Sequence, residues 1–322
     1  MKDTLNIGII GLGEIGQAHC DAFSQVGRAR LVAVSDVDQT RLAETTARTK
    51  TRGYVDYREL LAHRDLDAVV IATPEQAHAI PCVLAAEAGK HILVEKPIAT
   101  TLRDAENIIE AADAARVKLM VGFTLRFFPQ YIYAKQSVER GDLGQLVSVF
   151  ARRTNLITRQ EKMKGRTGVL NFLGVHDFDV MRWIIGSEPE SIFCEQATSV
   201  PSAYPVENET FAIIRFQNGV IGCGHFGWFL PENHPAGFDF KLDLTGTNGV
   251  LHLDMIRQGV EIDTHQTHYP YLAAPLIAEA KAFVDSVLDN TPVPATGIDG
   301  LRATKMVIAA QESLQSHLPV TL

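Results

Sequence analysis

Leu5-Asn6-Ile7-Gly8-Ile9-Ile10-Gly11-Leu12-Gly13-Glu14-Ile15-Gly16 opens the chain with an apolar run that ends in three spaced glycines. Leu5 to Ile10 is almost wholly apolar, as a strand buried on both faces of a parallel sheet must be. From Glu14 to Val26 the residues Ile15, Ala18, Ala22 and Val26 recur at helical spacing until Gly27 supplies a stop. Strand, Gly-x-Gly-x-x-Gly loop and helix in this order form a dinucleotide-binding fingerprint. Gly11 permits the tight turn, Gly13 lets a diphosphate approach backbone amides, and Gly16 permits close helix–sheet contact. Glu14 and Ile15 open a helix whose N-terminus favours an anion.

The second strand, Leu31 to Ser35, ends at Asp36, 20 residues beyond Gly16. A carboxylate there accepts both ribose hydroxyls and repels a 2′-phosphate, so NAD is expected over NADP. A turn or cap role is the competing reading for Asp36, and neighbouring Asp38 is the other candidate for that duty. The alternation then continues with a helix at Gln39 to Arg48, a strand at Ala68 to Ala72 and a helix at Glu75 to Ala88. A strand at His91 to Val94, a helix at Leu102 to Ala115 and a strand at Lys118 to Val121 follow. Such alternation predicts a doubly wound α/β sheet over residues 1–122.

After Phe123 the rhythm changes. A helix at Gln130 to Arg140, a strand at Gln145 to Thr154 and a helix at Phe172 to Ile185 precede several strands. These are Ser191 to Ala197, Glu209 to Phe216, Val220 to Trp228, Phe238 to Thr245, Gly249 to Asp254 and Val260 to Asp263, joined by turns such as Gln217-Asn218-Gly219. Residues 123–322 therefore read as an α+β domain with a large, mainly antiparallel sheet. Amphipathic helices at Leu272 to Leu288 and Leu301 to Ser316 are expected to pack back on the sheet or the first domain.

Composition narrows the function by exclusion. The chain has 322 residues, enough for two cores, and 46% hydrophobic and 21% charged residues suit a globular protein. A net charge of -8 disfavours a nucleic-acid surface. Cys20, Cys82, Cys194 and Cys223 lack metal-ligand or disulfide spacing, so no metal is expected. Neither a signal peptide nor a membrane-length apolar run is present, which makes the cytoplasm the expected compartment.

Three further motifs stand in the chain: Val70-Ile71-Ala72-Thr73-Pro74 with His78, Glu95-Lys96-Pro97, and Gly174-Val175-His176-Asp177-Phe178-Asp179. With the glycine loop they resemble the glucose-fructose oxidoreductase, inositol dehydrogenase and rhizopine-catabolism (Gfo/Idh/MocA) family. The resemblance implies an NAD-dependent dehydrogenase with a polyol, sugar or cyclitol substrate held between a Rossmann domain and an open-sheet domain. A homodimer or homotetramer is implied as well. Thr73, Pro74, His78 and Glu95 join the glycine loop and Asp36 as expected cofactor contacts, and Pro97 resembles the family's cis-proline.

Hydride transfer from a carbinol carbon needs a base for the hydroxyl proton. The resemblance gives that role to Lys96, assisted by His176; a cationic nicotinamide and partial burial favour a neutral lysine. Related dehydrogenases carry an aspartate one helical turn before this histidine, but here Phe172 stands there, offering no hydrogen bond. Asn171 is adjacent but on another part of an α-helical face. Phe172 would form an apolar wall suited to a deoxygenated or modified substrate. Arg126, Arg153 and Asn155 are weaker expected substrate contacts, for which structural salt bridges are the competing reading. Trp228 and His234 fall in a strand-loop region that could cover the crevice. Two other functions share the outline: a non-catalytic NAD- or sugar-binding regulator, and a glycosidase that uses NAD transiently.

Overall fold

The computed structural model describes residues 3–199, 204–256, 259–263 and 274–322. Two compact units emerge, and they are not consecutive halves split at residue 122. Met1–Phe127 joins with Ala274–Leu301, and Phe128–Ala273 with Arg302–Leu322.

In the first unit the order is β1 (Leu5–Ile10), α1 (Glu14–Ser24), β2 (Ala29–Ser35), α2 (Gln39–Thr49), β3 (Arg52–Tyr54) and α3 (Tyr57–Leu61). Next come β4 (Ala68–Ile71), α4 (Ala79–Glu87), β5 (His91–Glu95), α5 (Leu102–Ala115) and β6 (Leu119–Gly122). All six strands are parallel, in the order β3-β2-β1-β4-β5-β6. The order of strand addition, outward from β1 through β2 to β3, restarts on the other side of β1 at β4, and such a switch point is where an open α/β sheet forms its ligand crevice.

The apolar run reads out as burial: Ile7 and Ile9 are fully buried, as are Val70 and Leu93 on the neighbouring strands. The expected helix from Glu75 to Ala88 is broken at its start. A 3-10 turn at Glu75–Ala77 precedes α4, whose third residue is Pro81. Proline lacks the N–H a helix interior needs but is tolerated in a first turn, so the α-helix starts just before it.

The second unit begins with α6 (Pro129–Glu139), β7 (Leu146–Leu156), α7 (Thr158–Met163) and α8 (Val175–Ile185). Strands β8 (Pro189–Gln196), β9 (Glu209–Phe216), β10 (Ile221–Leu230), β11 (Phe238–Gly246), β12 (Gly249–Asp254) and β13 (Gly259–Asp263) follow. Helices α9 (Pro275–Leu288) and α10 (Gly297–Ser316) and a short β14 (Val320–Thr321) end the chain. The expected α9 start at Leu272 lies outside the described residues.

The eight-stranded sheet runs β13-β12-β11-β7-β10-β9-β8-β14 and is antiparallel except at β7 and β10. Those two strands pair in parallel because α8 and the β8-β9 hairpin lie between them in sequence, and a parallel pair needs such a crossover. Along β9 the buried residues Thr210, Ala212, Ile214 and Phe216 alternate with exposed Phe211, Ile213 and Arg215. One face of the sheet is thus packed and the other open. Helix α9 belongs to the first unit, where Ala280, Phe283 and Val284 join the core beside Phe23 of α1. Among the described residues no helix is long and apolar enough to cross a membrane.

Candidate cofactor and catalytic site

The glycine loop sits where β1 gives way to α1. Gly11 has φ +90, and a Cβ there would stand 2.6 Å from the Ala72 carbonyl oxygen of the β4 loop. A Cβ on Gly16 would meet the Gly11 carbonyl oxygen at 2.0 Å. Both glycines are therefore required by the protein's own packing. Gly13 is different: its φ is -65, and a Cβ there would touch nothing within 4 Å. Gly13 also caps α1 without any side-chain hydrogen bond, so the first turn keeps its dipole for a ligand. Open space over uncapped amides is the cradle a diphosphate fits, and the chain suits the dinucleotide its sequence implies.

Asp36 ends β2 beside this loop and is 8% exposed. Its Oδ2 accepts the Leu12 amide at 2.7 Å and Arg41 at 3.2 Å, and its Oδ1 accepts the Asp38 amide at 2.8 Å. The helix-cap duty falls to Asp38, which accepts from Thr40 and Arg41 at the start of α2. A groove of about 440 Å³ opens here, lined by residues including Leu12, Gly13, Gln17, Arg41 and Arg48. Its two arginines are already neutralised, Arg41 by Asp36 and Asp38, and Arg48 by Asp21.

At the carboxyl ends of β4 and β5, Thr73 is half-buried and Pro74 exposed, followed by Glu95, the half-buried Lys96 and a cis Lys96-Pro97 bond. His78 and Glu95 are almost enclosed, at 1% and 6% exposure. The His78 ring stands 2.9 Å from both the Thr73 and the Pro97 carbonyl oxygens and ties the two strand-end loops together. Burial lowers its pKa in spite of those carbonyls. Glu95 turns inward: its Oε1 pairs with His19 of α1 at 2.8 Å, and its Oε2 accepts the Lys96 amide at 3.2 Å.

His176, Phe172 and the other second-unit residues surround a local departure from α-helix. Leu170–Gly174 forms a π turn, in which the Val175 amide reaches back to the Leu170 carbonyl. Phe172 packs edge-on against Trp228, ring centroids 5.7 Å apart. Trp228 itself is buried. Glu207 accepts the Leu170 amide at the start of the turn. Burial raises the Glu207 pKa despite that bond and one from Gln311.

The two arginines are committed to internal partners. Arg126 bonds the Pro294 carbonyl and Asp299, all within the first unit. Arg153 pairs through two nitrogens with buried Asp177, contacts Tyr131 and lies 4.3 Å from the Phe240 ring centroid. Asn155 lies near the end of β7, half-buried, with Phe238 of β11 as its register partner. Asp179 is fully buried on α8.

Two features escaped the sequence. The π turn has no periodic signature, and the grouping of His19 and Glu95 with Glu279 joins residues from three distant elements. The only local hint was a charged residue, Glu279, within the otherwise apolar start of α9.

Comparison with known proteins agrees with the geometry. Residues 5–123 match the model of the "Oxidoreductase family, NAD-binding Rossmann fold", and residues 131–252 that of the GFO/IDH/MocA C-terminal domain. The uncharacterized oxidoreductase YrbE of Bacillus subtilis is 31% identical, with 100% of this chain and 98% of that protein aligned. Myo-inositol 2-dehydrogenase of Thermotoga maritima is 28% identical over 99% of this chain and 98% of its own length. The crystal structure of scyllo-inositol dehydrogenase from Lactobacillus casei with bound NAD(H) and scyllo-inositol superposes with a TM-score of 0.86. It is 25% identical, with 99% of each chain covered. The chain belongs to the GFO/IDH/MocA family of oxidoreductases.

Proposed function

We propose that this chain transfers a hydride between NAD and a secondary alcohol or ketone of a cyclitol, sugar or related polyol. Lys96 is its main proton carrier and His176 a second acid–base group. The observation that carries this reading is the half-buried lysine directly after β5, on the same sheet edge as the open glycine cradle after β1. Relatives named as inositol dehydrogenases supply the substrate class.

The nicotinamide supplies the hydride acceptor when bound. The chain's own task is the proton: a neutral Lys96 amine accepts it from the carbinol as the alkoxide forms, and its ammonium returns it in the reverse direction. Phe172, packed on Trp228, would offer the substrate an apolar surface at the position where a carboxylate could have bound a hydroxyl. Asn171 gains importance through the π turn, because a five-residue step replaces the four-residue step of an α-helix before His176. That favours Asn171 as a neutral hydrogen-bonding substitute, suited to a substrate with fewer or modified hydroxyls.

NADH fluorescence on mixing protein, NAD and a panel of cyclitols, deoxy-sugars and amino-sugars tests the reading. Signal with at least one member is expected, and in that assay Asn171→Ala should raise KM more than it lowers kcat. Silence across the panel would favour a non-catalytic binder, and release of sugar without net NADH a transient use of NAD.

NAD rather than NADP follows from charge. Asp36 repels a 2′-phosphate, and Arg41 and Arg48 are already paired with carboxylates. Asp36→Ala should weaken NAD binding about 10- to 100-fold, the range for losing a charge-assisted hydrogen bond. NADP binding should weaken less or improve, since Arg41 is released. Calorimetric losses equal for both nucleotides would remove the ribose role from Asp36.

A further inference from the structure

His19, Glu95 and Glu279 lie buried together beneath the Lys96 peptide, with one oxygen or nitrogen of each within 4.8 Å of the others. They come from α1, β5 and α9, all in the first unit. Room for the Glu95 carboxylate is left by Gly122 of β6, where a Cβ would stand 3.2 Å from Oε1. Neither oxygen of Glu279 has a hydrogen bond of good geometry among the described residues, nor does His19 Nδ1. Two bare carboxylates this close, away from water, would repel each other strongly, so one of them must keep a proton.

The surroundings decide which one. Around Glu279, α1 presents His19, and the strand end presents Glu95. The turn Thr124–Phe127 presents the Thr124 hydroxyl, while its Arg126 is held by Asp299. Burial first, and then the Glu95 charge, push the Glu279 pKa well above the carboxylate range, with Thr124 opposing weakly. Burial also pushes Glu95 upward, but the His19 hydrogen bond and the basic side chains around it outweigh it and leave Glu95 below its ordinary value.

We propose that His19, Glu95 and Glu279 form a buried positioning centre for Lys96, with Glu279 as its neutral acid and Glu95 as its anion. Glu95 fixes the lysine's peptide through the 3.2 Å amide bond and places one negative charge within electrostatic reach of the lysine. A second charge, on Glu279, would disturb both. The proposal rests on Lys96 as proton carrier, and its test has one arm that needs no turnover.

That arm is Glu279→Gln, which keeps shape and cannot ionise. The infrared difference between wild type and variant at about pH 8 should contain a protonated-carboxyl band, far above the usual carboxylate pKa. A raised folded pKa means that folding takes up a proton. The stability from Glu279 is thus complete below the ordinary carboxylate range and lost as pH rises through the raised value. The melting-temperature advantage of wild type over Glu279→Gln should shrink accordingly with rising pH. A carboxylate band in place of the acid, or a stoichiometric metal ion found by elemental analysis, would overturn the proposal.

The kinetic arm reads positioning. Glu95→Gln should move the acid limb of kcat/KM to lower pH by roughly one unit, as expected when a nearby opposite charge is removed. His19→Gln, whose amide still donates to Glu95, should recover part of the kcat lost in His19→Leu, with NAD affinity within about twofold in both. Equal losses in the two His19 variants would also overturn the centre. Full turnover in Lys96→Ala would instead remove the lysine's role while leaving the infrared result standing.

Discussion

Lys96→Ala should lower kcat/KM for the productive substrate by roughly 10²- to 10⁴-fold, the span for removing a positioned general base, while NAD binds within about twofold of wild type. The separation follows from where the lysine stands. It comes after β5, whereas the groups proposed to cradle the dinucleotide come from the β1-α1 loop and the end of β2. Alanine removes the amine without disturbing the His78 bridge, which uses the Pro97 carbonyl, or the Glu95 contact, which uses the Lys96 backbone amide. A small primary amine added to the assay should restore part of the lost rate if, as proposed, the missing group serves as a proton acceptor. Lys96→Met, which keeps the stem's packing, should be as inactive as alanine. Turnover above a tenth of wild type in the methionine variant would show that the proton leaves by another route.

Much of the candidate site is legible in the sequence because its parts are local. The glycine loop and the strand-end lysine each follow an apolar strand buried along nearly its whole length, Leu5–Ile10 and His91–Glu95, and Asp36 follows the buried last three residues of β2. Short or irregular pieces were not legible. Strand β3 is three residues long, Arg52–Tyr54, with two of them exposed, too short for any period to show. The helix before His176 carried a helical pattern, but the shift to a π turn at Leu170–Gly174 depends on tertiary contacts, among them Glu207 on the Leu170 amide. Likewise, Arg126 and Arg153 look alike as isolated arginines. Only the fold shows that both are enclosed by their own acidic partners, Asp299 and Asp177.

Gly13→Ala and Gly16→Ala should fail in opposite ways, and the contrast tests the cofactor cradle itself. A methyl on Gly13 meets no protein atom within 4 Å, and the backbone there, at φ -65 and ψ -168, is one any residue adopts. The folded apo-protein should therefore lose at most about 1 kcal/mol, the difference between glycine and alanine as an N-cap. That methyl occupies the space over the amides where a diphosphate would rest, so NAD affinity should fall by about 10- to 100-fold, corresponding to 1–3 kcal/mol of overpacking. Gly16→Ala presses its methyl to 2.0 Å from the Gly11 carbonyl oxygen, a backbone atom that cannot swing aside. Loop and helix must separate, which should cost the apo-protein about 1–3 kcal/mol and lower its melting temperature before any ligand is added. Thermal melts with and without NAD, beside calorimetric titrations, read both effects in one series. If Gly13→Ala bound NAD as tightly as wild type, the dinucleotide would have to lie elsewhere. The openness above Gly13 would then be an unused gap in the surface, and the assignment of this loop to the cofactor would fail even though the fold around it stands.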